Sequence, residues 1–148
     1  GNTVPFSKTY FAGGSSDIRA WRAYELGPGE LYRGAQSYST DLLKITTNVE
    51  YRHKFTDTWS LALFLDAGNI WATRSDALEE SKFKFNKFYE QMALGTGFGI
   101  RFSLGYGIVF RGDMGYRLYD PNEASGERWF KELGFLPNEY NIGVGLPF

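Results

Sequence analysis

The chain has 148 residues, 43% hydrophobic and 22% charged, with thirteen Phe, ten Tyr, eighteen Gly, a formal net charge of −1 at pH 7 and no cysteine. The missing cysteines exclude disulfides and thiolate metal sites, and the missing basic stripe excludes nucleic acid as a partner. No run approaches the ~18 apolar residues of a membrane-spanning helix, yet a strand-built membrane wall stays open, because its apolar residues occupy only alternate positions and average hydropathy remains low. The aromatic and glycine load suits many strands with small-residue faces better than helices.

The stretch from Tyr10 to Gly29 reads as a long loop. Gly13 and Gly14 loosen the backbone, residues 15 to 17 offer local side-chain hydrogen bonds, and Gly27-Pro28-Gly29 stops any regular element. Between these brackets, Ile18-Arg19-Ala20-Trp21 is too apolar for a solvated tip. A guanidinium set between Ile18 and Trp21 is expected to be buried, and a buried arginine needs carboxylates to receive its fork of donors. A solvated loop arginine is the alternative.

From Leu43 to Phe55 the alternation is nearly complete. Leu43, Ile45, Thr47, Val49, Tyr51, His53 and Phe55 share one face, and Lys44, Thr46, Asn48, Glu50, Arg52 and Lys54 the other. Such a run predicts a strand longer than the usual ~5 to 6 residues and suited to the ~9 to 11 of a tilted bilayer crossing. After a tight turn at 56–58, a second strand over 59–71 sets Trp59, Leu61, Leu63, Leu65 and Ala67 against Ser60, Ala62, Phe64, Asp66 and Gly68. Glu50 and Asp66 both fall on polar faces, where they are available to Arg19.

Alternation breaks over 72–90, where Ser75 or Asp76 is placed to cap a short helix and Phe83, Phe85 and Phe88 suit a helix face or a strand lead-in equally. A third strand over 91–103 directs Met92, Leu94, Thr96, Phe98, Ile100 and Phe102 to one side. Ala93, Gly95, Gly97 and Gly99 clear the other, which marks close approach by another segment. A fourth strand over 105–118 follows a short turn and carries Arg111, Asp113 and Arg117 on its polar face, Asp113 being expected in a charge ladder with the two arginines. A long charged connection leads to a last strand over 139–148, with Tyr140, Ile142, Val144, Leu146 and Phe148 on its apolar face. Short and long connections thus alternate, as the turns and loops of outer-membrane barrels do.

Three motifs carry a family resemblance. Phe-Ala-Gly-Gly-Ser-Ser followed by Ile-Arg-Ala-Trp resembles the signature loop of the Omp85 superfamily, with Ala20 standing where that loop has glycine. The string from Phe64 to Trp71, Phe-Leu-Asp-Ala-Gly-Asn-Ile-Trp, is similar to the superfamily strand that carries an aromatic residue and an aspartate two positions on. The closing Tyr-Asn-Ile-Gly-Val-Gly-Leu-Pro-Phe resembles the C-terminal recognition signal of outer-membrane proteins. The nearest look-alikes are the BamA and TamA branches of the surface antigen type, including the TamA-like lipoproteins of Bacteroidetes.

The resemblance implies an all-β fold: antiparallel strands forming the C-terminal part of a transmembrane β-barrel, with a long N-terminal lumenal loop. Residues 1–42 would be the signature loop and 43–148 five strands, excised from a longer exported protein. It also implies a structural lock of Arg19, Ile18, Trp21, Glu50, Phe64 and Asp66, and a C-terminal signal of Tyr140, Ile142, Val144, Leu146 and Phe148. The implied function is assembly, insertion or translocation of proteins at the bacterial outer membrane. Its partners would be outer-membrane lipid, client outer-membrane proteins and accessory lipoproteins, and the isolated piece would self-associate through its open edges. No catalytic residue, cofactor or metal is expected, since the one histidine cannot build a metal site and has no nucleophile to serve. The competing classes are a soluble lipocalin-like barrel with an apolar ligand and a passive porin. Sidedness separates the first of these: a lipocalin turns its apolar face inward, a membrane barrel outward.

Overall fold

The computed structural model describes residues 9–31 and 39–145. Five strands, β1 (Leu43–Lys54), β2 (Trp59–Trp71), β3 (Ala93–Ser103), β4 (Val109–Tyr119) and β5 (Glu139–Gly145), form one antiparallel sheet in chain order. The sheet is not closed, and β1 and β5 are its two edges. The predicted alternation is clearest through the middle of β2 and β3; the end of β2, Gly68–Trp71, is buried at every residue, and the β3–β4 register shifts between Leu94 and Gly95.

The sheet has two unlike faces. Val49, Tyr51, Leu63, Leu65, Phe98, Ile100, Phe110, Met114, Tyr140, Ile142 and Val144 lie exposed on one. On the other, Phe64, Asp66, Gly95, Gly97, Arg101, Asp113 and Gly115 are buried. What buries them is the loop of residues 10–29, which lies across this face. The hydrophobic core is accordingly shared between loop and wall: Ala12, Ile18, Ala20, Trp21 and Leu26 from the loop, Ile70 and Ala93 from the strands.

Glycines make that contact possible. A Cβ on Gly115 would stand 2.6 Å from the Arg19 carbonyl oxygen and 2.8 Å from the Ala20 Cα, and one on Gly95 would stand 2.9 Å from the Ala20 Cβ and 3.2 Å from the Trp21 ring. Both are far inside ordinary contact distance, so only glycine lets the loop lie this close.

β1 ends at Lys54 rather than 55, β3 begins at Ala93 rather than 91 and β4 ends at Tyr119 rather than 118; two departures are larger. β4 begins at Val109 rather than 105, because Tyr106 adopts a φ of 51° between Gly105 and Gly107. The turn then closes through Leu104 N–H to the Ile108 carbonyl (3.0 Å) and Ile108 N–H to the Gly105 carbonyl (3.1 Å). The alternating aromatic pattern had run on through this turn. The 72–92 connection forms no α-helix; it holds a single 3-10 turn at Phe88–Glu90 and a parallel bridge between Ala72 and Lys82. Of the C-terminal signal residues, Tyr140, Ile142 and Val144 sit on the exposed apolar face of β5, as expected, and Leu146 and Phe148 lie outside the described residues.

Candidate functional site: an arginine clasp on the charged face

Strand register decides where the carboxylates stand. Glu50 of β1 is directly opposite Phe64 of β2, and Asn48 opposite Asp66. The two acids are therefore diagonal neighbours on the covered face, with the Phe64 ring beside them. Arg19 descends onto this group from the loop. Its Nε and Nη2 donate to the two Asp66 oxygens at 2.9 and 2.8 Å, and its Nη1 donates to Glu50. The guanidinium carbon lies 3.6 Å from the Phe64 ring centroid, a cation–π stack that covers the face left free by the in-plane hydrogen bonds.

The clasp also holds backbone. Arg19 N–H donates to the same Asp66 carboxylate at 3.0 Å, so Asp66 takes three bonds from one residue. The Arg19 carbonyl accepts from Asn141 of β5 at 2.9 Å. Asn48 bridges Asp66 to the loop by donating to the Asp66 carboxylate (2.9 Å) and the Asp17 carbonyl (2.7 Å). Asp17 in turn accepts from Lys44 of β1 and from Gly13 N–H, each at 2.9 Å. The apolar flanks fill the remaining space: Ile18 stands over Gly68 of β2, and Trp21 over Gly95 of β3. Both are fully buried.

Burial works against the Arg19 charge, but the hydrogen bonds it donates to Asp66 and Glu50, with the attraction of the two carboxylates, outweigh it and hold the guanidinium pKa above its ordinary value. Asp66 is completely buried and the Arg19 side chain nearly so. Breaking such a pair strands a charge, which costs roughly 3 to 5 kcal/mol.

Residues that sequence reasoning did not place complete the network. Arg101 of β3 donates to Asp113 of β4 and reaches Glu50 at 3.4 Å, so Glu50 receives Arg19, Arg52 and Arg101 together. Asp113 thus pairs with Arg101 on the neighbouring strand, not in the expected ladder with Arg111 and Arg117. Arg101 had a legible signal, being the one charge on the glycine-cleared face of its strand. At the far end of the loop, Asn69 donates to the Gly29 carbonyl (2.8 Å) and the Gln91 carbonyl (2.6 Å), and Trp71 Nε1 donates to Gln91 (2.8 Å). His53 is exposed and packs edge-on against Phe55 at 5.0 Å, away from the clasp. Among the described residues, no group of three or more His, Cys, Asp or Glu is arranged to hold a metal ion.

An open antiparallel sheet with one apolar exposed face and one charged face under a glycine-seated loop fits a fragment of a barrel. Residues 1–135 match the family model of the Omp85 superfamily domain. The chain belongs to the Omp85 superfamily.

Proposed function

We propose that this chain is the lumenal-loop and wall portion of an outer-membrane barrel that assembles or translocates other proteins, with the Arg19 loop locked to Glu50 and Asp66. The reading rests first on family, since Omp85 superfamily proteins are outer-membrane assembly or translocation factors that work without enzymatic chemistry. One structural observation carries it further. The apolar face of the sheet is the exposed one, and the charged face is the one the loop covers. That sidedness suits lipid outside and a polar lumen inside, and is the reverse of a lipocalin. A buried arginine clasp is also more than a diffusion pore requires.

On this reading the outer face of the sheet meets outer-membrane lipid, and the clients are other outer-membrane proteins, received by backbone pairing at a strand edge, a process that needs no cofactor. A BamA-like or TamA-like branch, with accessory lipoproteins as partners, is the finer form of the proposal. The test is to compare Asp66→Arg with Lys82→Glu in the full-length protein. The first puts like charges into the clasp, while the second changes a partly exposed side chain in the 72–92 connection. Asp66→Arg should lower the amount recovered in the outer membrane and Lys82→Glu should not. Equal recovery of the two variants would remove the clasp from the functional account.

A further inference from the structure

The loop is gripped a second time, by an arginine of opposite origin. Arg19 belongs to the loop and reaches acids of the wall; Arg117 belongs to the wall and reaches the loop. Its Nε donates to the Ala20 carbonyl at 3.0 Å, one residue beyond Arg19. Its Nη2 donates to Glu25 of the loop at 2.8 Å. The guanidinium carbon lies 5.0 Å from the centroid of the Trp21 ring. Three groups of the loop are therefore met by one side chain, which is itself mostly buried.

The same side chain engages the 120–138 connection. Arg117 Nη1 stands 3.0 Å from Glu132 and 3.6 Å from Asp120. Asp120 also accepts from the Trp21 indole N–H at 3.3 Å, so Arg117, Trp21 and Asp120 form a closed triangle. The end of the connection is tied to the same place: Asn138 accepts from Arg117 N–H at 2.7 Å and donates to Glu132 at 3.2 Å. Burial pushes the Asp120 carboxyl above its ordinary value, with the Asn122 N–H, Arg117 and Trp21 acting the other way. The arginine is thus set where it offsets a carboxylate that burial disfavours.

We propose that Arg117 is a second positioning residue for the loop, and that it joins the loop to the 120–138 connection so that the two segments loosen together. The planar fork is essential to this role, because one group must face a carbonyl, three carboxylates and an aromatic ring at once. A lysine keeps the charge but lacks the fork.

Trypsin provides the readout, because cleavage follows the population of the locally opened state. Arg22 in the loop and Lys131 in the connection are native cleavage positions with well-exposed side chains. In the full-length protein, Arg117→Lys should raise cutting after both Arg22 and Lys131 by about tenfold or more, the loss expected for a charge-assisted hydrogen bond. Arg19→Lys should raise cutting after Arg22 and, to a smaller extent, after Lys131, since Arg19 reaches the connection only through the loop. Glu132→Gln removes a single, partly exposed contact of Arg117; it should raise both cuts by about threefold. Retention of the compact, heat-modifiable form on gels separates local loosening from failure to fold. Wild-type cutting after Arg22 in Arg117→Lys would overturn the positioning role, and a Glu132→Gln variant that changed Lys131 alone would overturn the coupling. Neither arm needs an assembly assay, so the proposal stands or falls apart from the functional reading above.

Discussion

Gly112 and Gly115 lie three residues apart on β4 and face opposite sides of the sheet, which makes them a matched pair for testing how the loop is seated. A Cβ on Gly112 meets nothing within 4 Å, whereas one on Gly115 collides with the backbone of Arg19 and Ala20. Replacing a strand glycine by alanine gains about 0.5 to 1 kcal/mol at either site, through the reduced freedom of the unfolded chain. That gain cancels when the two variants are compared, leaving the overpacking penalty at Gly115, about 1 to 3 kcal/mol. Backbone atoms cannot swing aside as a side chain tip can. Urea unfolding of the full-length protein in detergent micelles, followed by tryptophan fluorescence, should therefore place Gly115→Ala below Gly112→Ala by that amount. Two variants that agree within about 0.5 kcal/mol would mean that the loop does not rest on β4.

Two further expectations concern charge. Glu79 lies between Lys82 (2.7 Å) and Lys84 (2.9 Å), and hydrogen bonds from these two lysines lower its pKa from 4.5 to about 2. Because the folded value lies below the ordinary one, the contact contributes fully above pH 4.5 and is lost as pH falls toward about 2. A carboxyl titration by NMR should show this midpoint, and Lys84→Ala should move it back toward 4.5; a midpoint of 4.5 in the unaltered protein would contradict the contact. Arg101→Ala should cost about 3 to 5 kcal/mol in urea unfolding, because it strands Asp113, which is buried and already has one oxygen without a hydrogen-bond partner among the described residues. Adding Asp113→Ala should recover part of that loss, and a further loss would refute the pairing.

Much of the fold was legible because a strand with one face in lipid or water and the other against charge repeats every two residues. The 59–71 strand illustrates this, its bounds following from leucines at alternate positions up to the Ala67-Gly68 change. The same rule misled at 105–108, where Tyr106 and Ile108 keep the alternation although the chain is turning. Left-handed backbone leaves no trace in a hydrophobic pattern, only in the flanking glycines. The residue types around Arg19 pointed to carboxylate partners, but the geometry at Phe64 depends on register between two strands, which no single segment encodes. Arg117 was placed on the charged face, yet its partners come from two segments far apart in the chain, the loop and the 120–138 connection. Their meeting is a property of the sheet as a whole.

The account turns on Arg19 and Asp66 acting as one unit between loop and wall. A double-mutant cycle in the full-length protein measures this directly, with Arg19→Ala, Asp66→Ala and the pair compared by urea unfolding. Arg19→Ala should cost about 3 to 5 kcal/mol, since it strands the buried Asp66; Asp66→Ala should cost somewhat less, since Glu50 still holds Arg19, and the pair should cost little more than Arg19→Ala alone. The coupling should then amount to about 2 kcal/mol or more. Costs that simply add, within about 0.5 kcal/mol, would show that the two residues act independently and would contradict the clasp.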